Sequence, residues 1–173
     1  MSGKVASENI PGRHGLNPSA DAFTLARATR NELETRSLGN DLAVMLGPGD
    51  VVALIGDLGS GKTVLVRGIC AAFGCAEQVT SPSFTLINEY AGTVKIMHCD
   101  LYRLTATDQL SAIGFNDLFS DDCVVLIEWA ERAGPLLPYP RYEIVCEHGD
   151  SRDERVFRAA FVESRSDSIL PAT

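Results

Sequence analysis

Gly56-Asp57-Leu58-Gly59-Ser60-Gly61-Lys62-Thr63 decides the fold. The stretch fits G-x-x-x-x-G-K-[ST], the pattern of a phosphate-binding loop. Val51-Val52-Ala53-Leu54-Ile55 precedes it and reads as a buried strand, being short, apolar and β-branched. Val64 to Phe73 follows and reads as a helix. Strand, glycine-rich turn and helix are the context that the motif requires. Gly56, Gly59 and Gly61 permit backbone angles that other residues resist, so that successive N–H groups can line a concave cradle for phosphate oxygens. The unpaired N–H groups and positive dipole end of the following helix favour the same ligand. Lys62 is placed to reach β- and γ-phosphates, and the Thr63 hydroxyl to ligate Mg²⁺. All eight residues, 56 to 63, are candidate nucleotide contacts.

Outward from this loop, the chain supports one domain. Its 173 residues are 45% hydrophobic and 22% charged, which suffices for one real core. The expected division is a flexible tail over 1–20, a single domain over 21–163 and a second flexible tail over 164–173. Phe23 to Ala26 reads as an edge strand. Thr29 and Glu32 have capping-box spacing and place a helix start there. Leu33, Leu38, Leu42 and Leu46 are expected on one broad face of that helix. Gly47-Pro48-Gly49-Asp50 breaks the chain before the central strand.

Beyond the helix, Gly74 is a stop signal and Thr80 to Ser83 a polar loop. Phe84 to Tyr90 and Thr93 to Cys99 read as an antiparallel pair joined by a tight turn at Ala91-Gly92. A short helix is expected from Thr107, with a helical turn over Phe115 to Phe119. Cys123 to Ile127 is a second continuous apolar run and reads as a central strand. Gly134-Pro135 and Pro138 to Pro140 exclude a long regular element. Tyr142 to Glu147 and Arg155 to Val162 read as a closing hairpin. The fold class is α/β: a three-layer fold like that of the phosphate-loop nucleoside triphosphatases, with a mixed central sheet containing antiparallel strands.

Charge and cysteine usage narrow the function. A formal net charge of -8 opposes direct attachment to a DNA or RNA backbone. The five cysteines form no C-x-x-C pair and lie mostly in apolar runs, as buried thiols in a reducing interior do. No run reaches membrane-spanning length, and the amino end lacks the apolar core of a signal peptide. A cytoplasmic protein is expected, with no membrane partner.

A phosphate loop also needs an acid at the end of a nearby strand to hold the magnesium shell. Glu128 follows Val124-Val125-Leu126-Ile127, and Asp100 follows Ile96-Met97-His98-Cys99. Ligands of open sheets collect beyond the carboxyl ends of strands, so either acid can face Thr63. Lys62, Asp100 and Glu128 are the catalytic candidates.

Four stretches together resemble one family: Gly56 to Thr63, Thr80-Ser81-Pro82-Ser83-Phe84-Thr85-Leu86, His98-Cys99-Asp100-Leu101-Tyr102-Arg103-Leu104 and Ile127-Glu128-Trp129-Ala130-Glu131. The chain from about Phe23 to Val162 resembles the bacterial TsaE family of tRNA threonylcarbamoyladenosine biosynthesis ATPases. The resemblance implies ATP and Mg²⁺ as cofactors and a weak hydrolase stimulated by partners. The partner is a heterodimeric tRNA threonylcarbamoyl transferase complex, through which tRNA is reached indirectly. ATP hydrolysis would reset that complex as it modifies the adenosine 3′ of the anticodon. Carried onto this sequence, Thr63 and Glu128 would hold the metal and Asp100 would position or activate the attacking water. Thr80 to Phe84 would sense the γ-phosphate, Glu32 and its neighbours would meet the base, and Trp129 would border the nucleotide. The competing reading is a small-molecule kinase with the same loop. It needs a cation-rich lid, and Leu101 to Phe119 carries only Arg103. A GTPase lacks its Asn-Lys-x-Asp guanine reader here.

Overall fold

The computed structural model describes residues 24–75, 78–105 and 108–170. In chain order the elements are β1 (Thr24–Thr29), α1 (Glu32–Ala43), β2 (Val51–Ile55), α2 (Lys62–Ala72), β3 (Ile87–Tyr90), β4 (Lys95–Asp100), α3 (Asp108–Ala112), β5 (Cys123–Glu128), β6 (Arg141–His148) and β7 (Arg155–Val162). Short 3₁₀ turns occupy Phe115–Leu118, Ala130–Leu136 and Arg165–Asp167. The strands form one sheet in the order β1-β7-β6-β2-β5-β4-β3. Its centre is parallel: β6, β2, β5 and β4 run side by side in one direction. The flanks are antiparallel, β7 and β1 on one side and β3 on the other. This is the expected mixed α/β sheet.

Period-2 alternation sorts the central strands onto two apolar layers. Val52 and Leu54 of β2, with Val124 and Leu126 of β5, pack under Leu38, Leu42, Leu65, Val66 and Ile69 of α1 and α2. Val51, Ala53, Val125 and Ile127 face the opposite layer, where Leu110, Phe115, Leu118, Ala130 and Ala133 cover them. Helices on both faces explain why β2 and β5 are apolar at every position except the terminal Glu128. Among the described residues, no helix is long and apolar enough to cross a membrane.

Several boundaries differ from the sequence reading. The cap of α1 is Asn31, whose side chain accepts the Glu34 N–H at 2.9 Å. Thr29 instead ends β1, buried, with its hydroxyl 2.7 Å from that of Thr35. Leu33 is 77% exposed, because it lies roughly 140° around the helix from Leu38. Thr35 fills the inward position. Phe84 to Leu86 is a turn, with Leu86 at φ 66, so β3 starts only at Ile87. The β3–β4 connection is wider than a two-residue turn, since Tyr90 pairs with Ile96. The short helix α3 is present, but Thr107 lies outside the described residues. The 1–20 tail does so too. Gly74 ends α2 at φ 71, with the Cys75 N–H returning to the Cys70 carbonyl at 3.1 Å.

Candidate functional site

The parallel register brings the two acids together. Asp100 and Glu128 are direct partners on β4 and β5, at the carboxyl ends of both strands. His98, two residues before Asp100, shares its face by alternation. This face carries α2, whose first turn supplies Lys62 and Thr63. An open cleft of about 420 Å³ results, lined by residues 58–64, Ser81, Ser83, Asp100, Tyr102, Arg103, Glu128 and Trp129.

Backbone sterics fix the loop. Gly56 has φ 144, and a Cβ there would collide with the Cys146 carbonyl. Gly61 has φ 96 and caps α2 without a side chain, leaving the helix N–H groups open. Lys62 folds inward: its ammonium donates to the Gly56 carbonyl and to the Asp57 carbonyl at 2.8 Å. It also sits 4.2 Å from the Trp129 ring centroid. Burial lowers its pKa from the ordinary lysine value, while nearby Glu128, Glu131 and Asp100 pull the other way. The Cys146 thiol beneath is pushed up by its own burial and carries no charge at neutral pH.

Thr63 donates its hydroxyl to both carboxylate oxygens of Glu128, each at 2.9 Å. The His98 Nε2 lies 2.9 Å from Glu128 Oε1, and both residues are buried. Asp100 is engaged on both oxygens. Its Oδ2 accepts from Ser81 and, at 2.7 Å, from Ser83. Its Oδ1 accepts the Tyr102 N–H at 2.9 Å. Tyr102 packs on Trp129 at 5.0 Å, and Arg103 stacks over the exposed Phe84 ring at 4.0 Å.

Of the residues singled out from sequence, Leu58, Gly59, Ser60, Gly61, Lys62, Thr63, Asp100, Glu128 and Trp129 line the cleft. Gly56 and Asp57 lie behind it as acceptors for Lys62. Glu32 lies elsewhere, on the surface of α1, paired with Arg36 at 2.8 Å and Arg67 at 3.5 Å. Thr80 is also off the cleft, exchanging hydrogen bonds with the Tyr90 hydroxyl. Its neighbours Ser81 and Ser83 are the hydroxyls that enter. The His98 contact has a sequence signal, the i, i+2 spacing to Asp100 in a strand. His148 and Arg155 have none: they hold the loop from behind through the Leu58 and Gly59 carbonyls.

The donor set fits a phosphate-bound divalent cation. Among the described residues, no group of three or more His, Cys, Asp or Glu side chains is placed to hold a metal unaided. Thr63 and Glu128 supply one hydroxyl and one carboxylate, the small protein share usual for magnesium, which keeps water and phosphate oxygens as its other ligands.

Comparison with known proteins agrees with this geometry. The family model "Threonylcarbamoyl adenosine biosynthesis protein TsaE" matches residues 29–157. The tRNA threonylcarbamoyladenosine biosynthesis protein TsaE of Bacillus subtilis (strain 168) is 38% identical over 133 residues, spanning 76% of this chain and 83% of the relative. The protein of the same name from Nostoc sp. (strain PCC 7120) is 34% identical over 157 residues, spanning 86% and 96%. The crystal structure of YdiB from Bacillus subtilis superposes with a TM-score of 0.70 at 33% identity, covering 85% of this chain and 91% of that one. With the phosphate loop, the paired acids and the serine loop in one cleft, and a family match that takes in strands β2 to β6 whole, the chain belongs to the TsaE family of threonylcarbamoyl adenosine biosynthesis proteins.

Proposed function

We propose that this chain is a Mg²⁺-dependent ATP hydrolase that supports threonylcarbamoyl modification of the adenosine 3′ of the anticodon in tRNA. It acts by binding and resetting a heterodimeric transferase complex. The observation that carries the reading is the meeting of Lys62, Thr63, Glu128 and Asp100 in one cleft at the start of α2. When bound at Thr63 and Glu128, magnesium would neutralise charge on the β- and γ-phosphate oxygens.

The chain's own groups divide the remaining work. The N–H groups of Gly59 and of residues 61–63 cradle the phosphates, and Lys62 turns from the Gly56 and Asp57 carbonyls to phosphate oxygens. Trp129 covers Lys62 and excludes water from one side. Asp100 accepts a proton from the water that attacks the γ-phosphorus; the bond to the bridging oxygen breaks, giving ADP and phosphate. Both Asp100 oxygens are already taken by Ser81, Ser83 and the Tyr102 N–H. Slow turnover by the isolated chain is expected, because the serine loop holds Asp100 through Oδ2 in this arrangement. A partner surface that draws residues 80–86 aside would raise the rate.

Phosphate release is to be measured for the chain alone, with the transferase complex, and with tRNA added. Turnover that rises only with the complex is expected, and Lys62→Ala should abolish it. Asp100→Asn should lower kcat at least 100-fold, in line with general base catalysis of about 10²–10⁴, and leave nucleotide affinity nearly intact. Stoichiometric phosphorylation of a metabolite, indifferent to the complex, would replace this reading with the kinase one.

A further inference from the structure

A cradle whose N–H groups turn inward presents carbonyls on its outer side, and these need donors of their own. Two come from the strand ends that flank the β6–β7 turn. The Leu58 carbonyl lies 3.1 Å from the His148 Nε2; a carbonyl only accepts, so this ring nitrogen carries the proton. The Gly59 carbonyl accepts Arg155 Nε at 2.8 Å. Arg155 is itself held by its NH1 group, which donates to the carbonyls of Arg152 at 2.8 Å and Glu154 at 2.7 Å. The two residues face each other as register partners of β6 and β7. Neither lines the cleft.

From this we propose that His148 and Arg155 are positioning residues for the phosphate loop: a two-point clamp, built from β6 and β7, that sets the orientation of consecutive peptide planes. In a planar trans peptide the C=O and the following N–H point in opposite directions. Anchoring the Leu58 and Gly59 carbonyls to the hairpin therefore turns the N–H groups of Gly59 and Ser60 away from it. The Ser60 N–H then closes the loop on the Asp57 carbonyl at 3.2 Å, leaving Gly59 as the donor the clamp presents. Glycine is the residue that most needs such restraint. Gly59 and Gly61 sit at φ 77 and 96, where no side chain limits rotation. The Arg155 stem supplies a wall instead, 3.6 Å from where a Gly61 Cβ would stand.

The clamp rests on reading the cleft as a nucleotide site, so its test carries a control for that reading. Affinity for a fluorescent ADP analogue is to be measured for the parent chain, Lys62→Ala, Arg155→Met, Arg155→Lys and His148→Ala, with thermal midpoints alongside. Arg155→Met keeps the stem and deletes the donors; affinity should fall roughly ten-fold, the worth of one charge-assisted hydrogen bond, at an unchanged midpoint. Arg155→Lys should recover part of the loss. Amide hydrogen exchange at Ser60, whose N–H closes on the Asp57 carbonyl, should quicken in Arg155→Met without nucleotide, a readout that mere support of the hairpin would not move. His148→Ala, at an exposed site, should give a smaller loss of the same kind. Parent affinity and parent exchange in both the Arg155→Met and His148→Ala proteins, with Lys62→Ala inactive, would overturn the clamp and leave the site standing. Parent affinity in Lys62→Ala would overturn the site reading and the clamp with it.

Discussion

Glu131 hangs beside the cleft with one carboxylate oxygen, Oε2, buried and without a hydrogen-bond partner. Burial pushes its carboxyl above the ordinary glutamate value, against the pull of Lys62 and Arg132. A raised pKa means that the folded state favours the protonated acid. The contribution is fully present below the unfolded value of about 4.3 and is lost as pH rises through the folded value. Glu131→Gln should remove this segment, giving a flatter profile of unfolding free energy above about pH 4.3 in urea titrations. A variant profile parallel to the parent's would refute the assignment. Lys62, Thr63, Asp100 and Glu128 were legible in the sequence because each stands at a fixed place on a strand end or loop. His148 and Arg155 were not, because they touch main-chain carbonyls 90 and 96 positions away, and a carbonyl leaves no mark in a sequence. Glu32 and Thr80 came from family likeness, without a spacing rule to place their side chains.

Helices α1 and α2 meet backbone to backbone. A Cβ on Gly68 would collide with the Arg36 carbonyl, and one on Gly39 with the Leu65 carbonyl. Alanine normally favours a helix interior over glycine by roughly 1 kcal/mol. Here Gly68→Ala should instead destabilise the chain by about 1–3 kcal/mol, since no rotamer can relieve an overlap with main chain. Equilibrium urea unfolding reads the difference, and a stabilised variant would show that the helices part freely. The strands were legible wherever both faces are buried, as in β2 and β5, because a continuous apolar run has one good use. The start of α1 was not, because Thr29/Glu32 and Asn31/Glu34 have the same spacing. Pairing across β1 and β7 decides between them by holding Thr29 opposite Arg155.

At the scale of the whole molecule, a buried charge fastens the end of the described chain. Glu143 of β6 is fully buried, with Arg141 at 2.6 Å. The Ser168 hydroxyl and the Ile169 N–H add 2.9 and 2.8 Å hydrogen bonds to its oxygens, and Leu170 packs against the adjoining core. The polar composition of 164–173 gave no sign of this, because the partner is an acid inside a distant strand. Deleting residues 164–173 strips Glu143 of two donors and should cost about 1–3 kcal/mol, seen as a lower thermal midpoint with nucleotide affinity retained. An unchanged midpoint would show that water replaces them. The cleft, in turn, has two walls that differ in what it takes to move them. Under Gly56 the loop rests on the Cys146 carbonyl, a contact between main-chain atoms that has no slack. Opposite, residues 81–83 hang on hydroxyls that can spin about a single bond and re-form with water. The aperture is therefore a vice with one fixed jaw: the side resting on the Cys146 main chain stays put, and the side bearing Ser81 and Ser83 can travel.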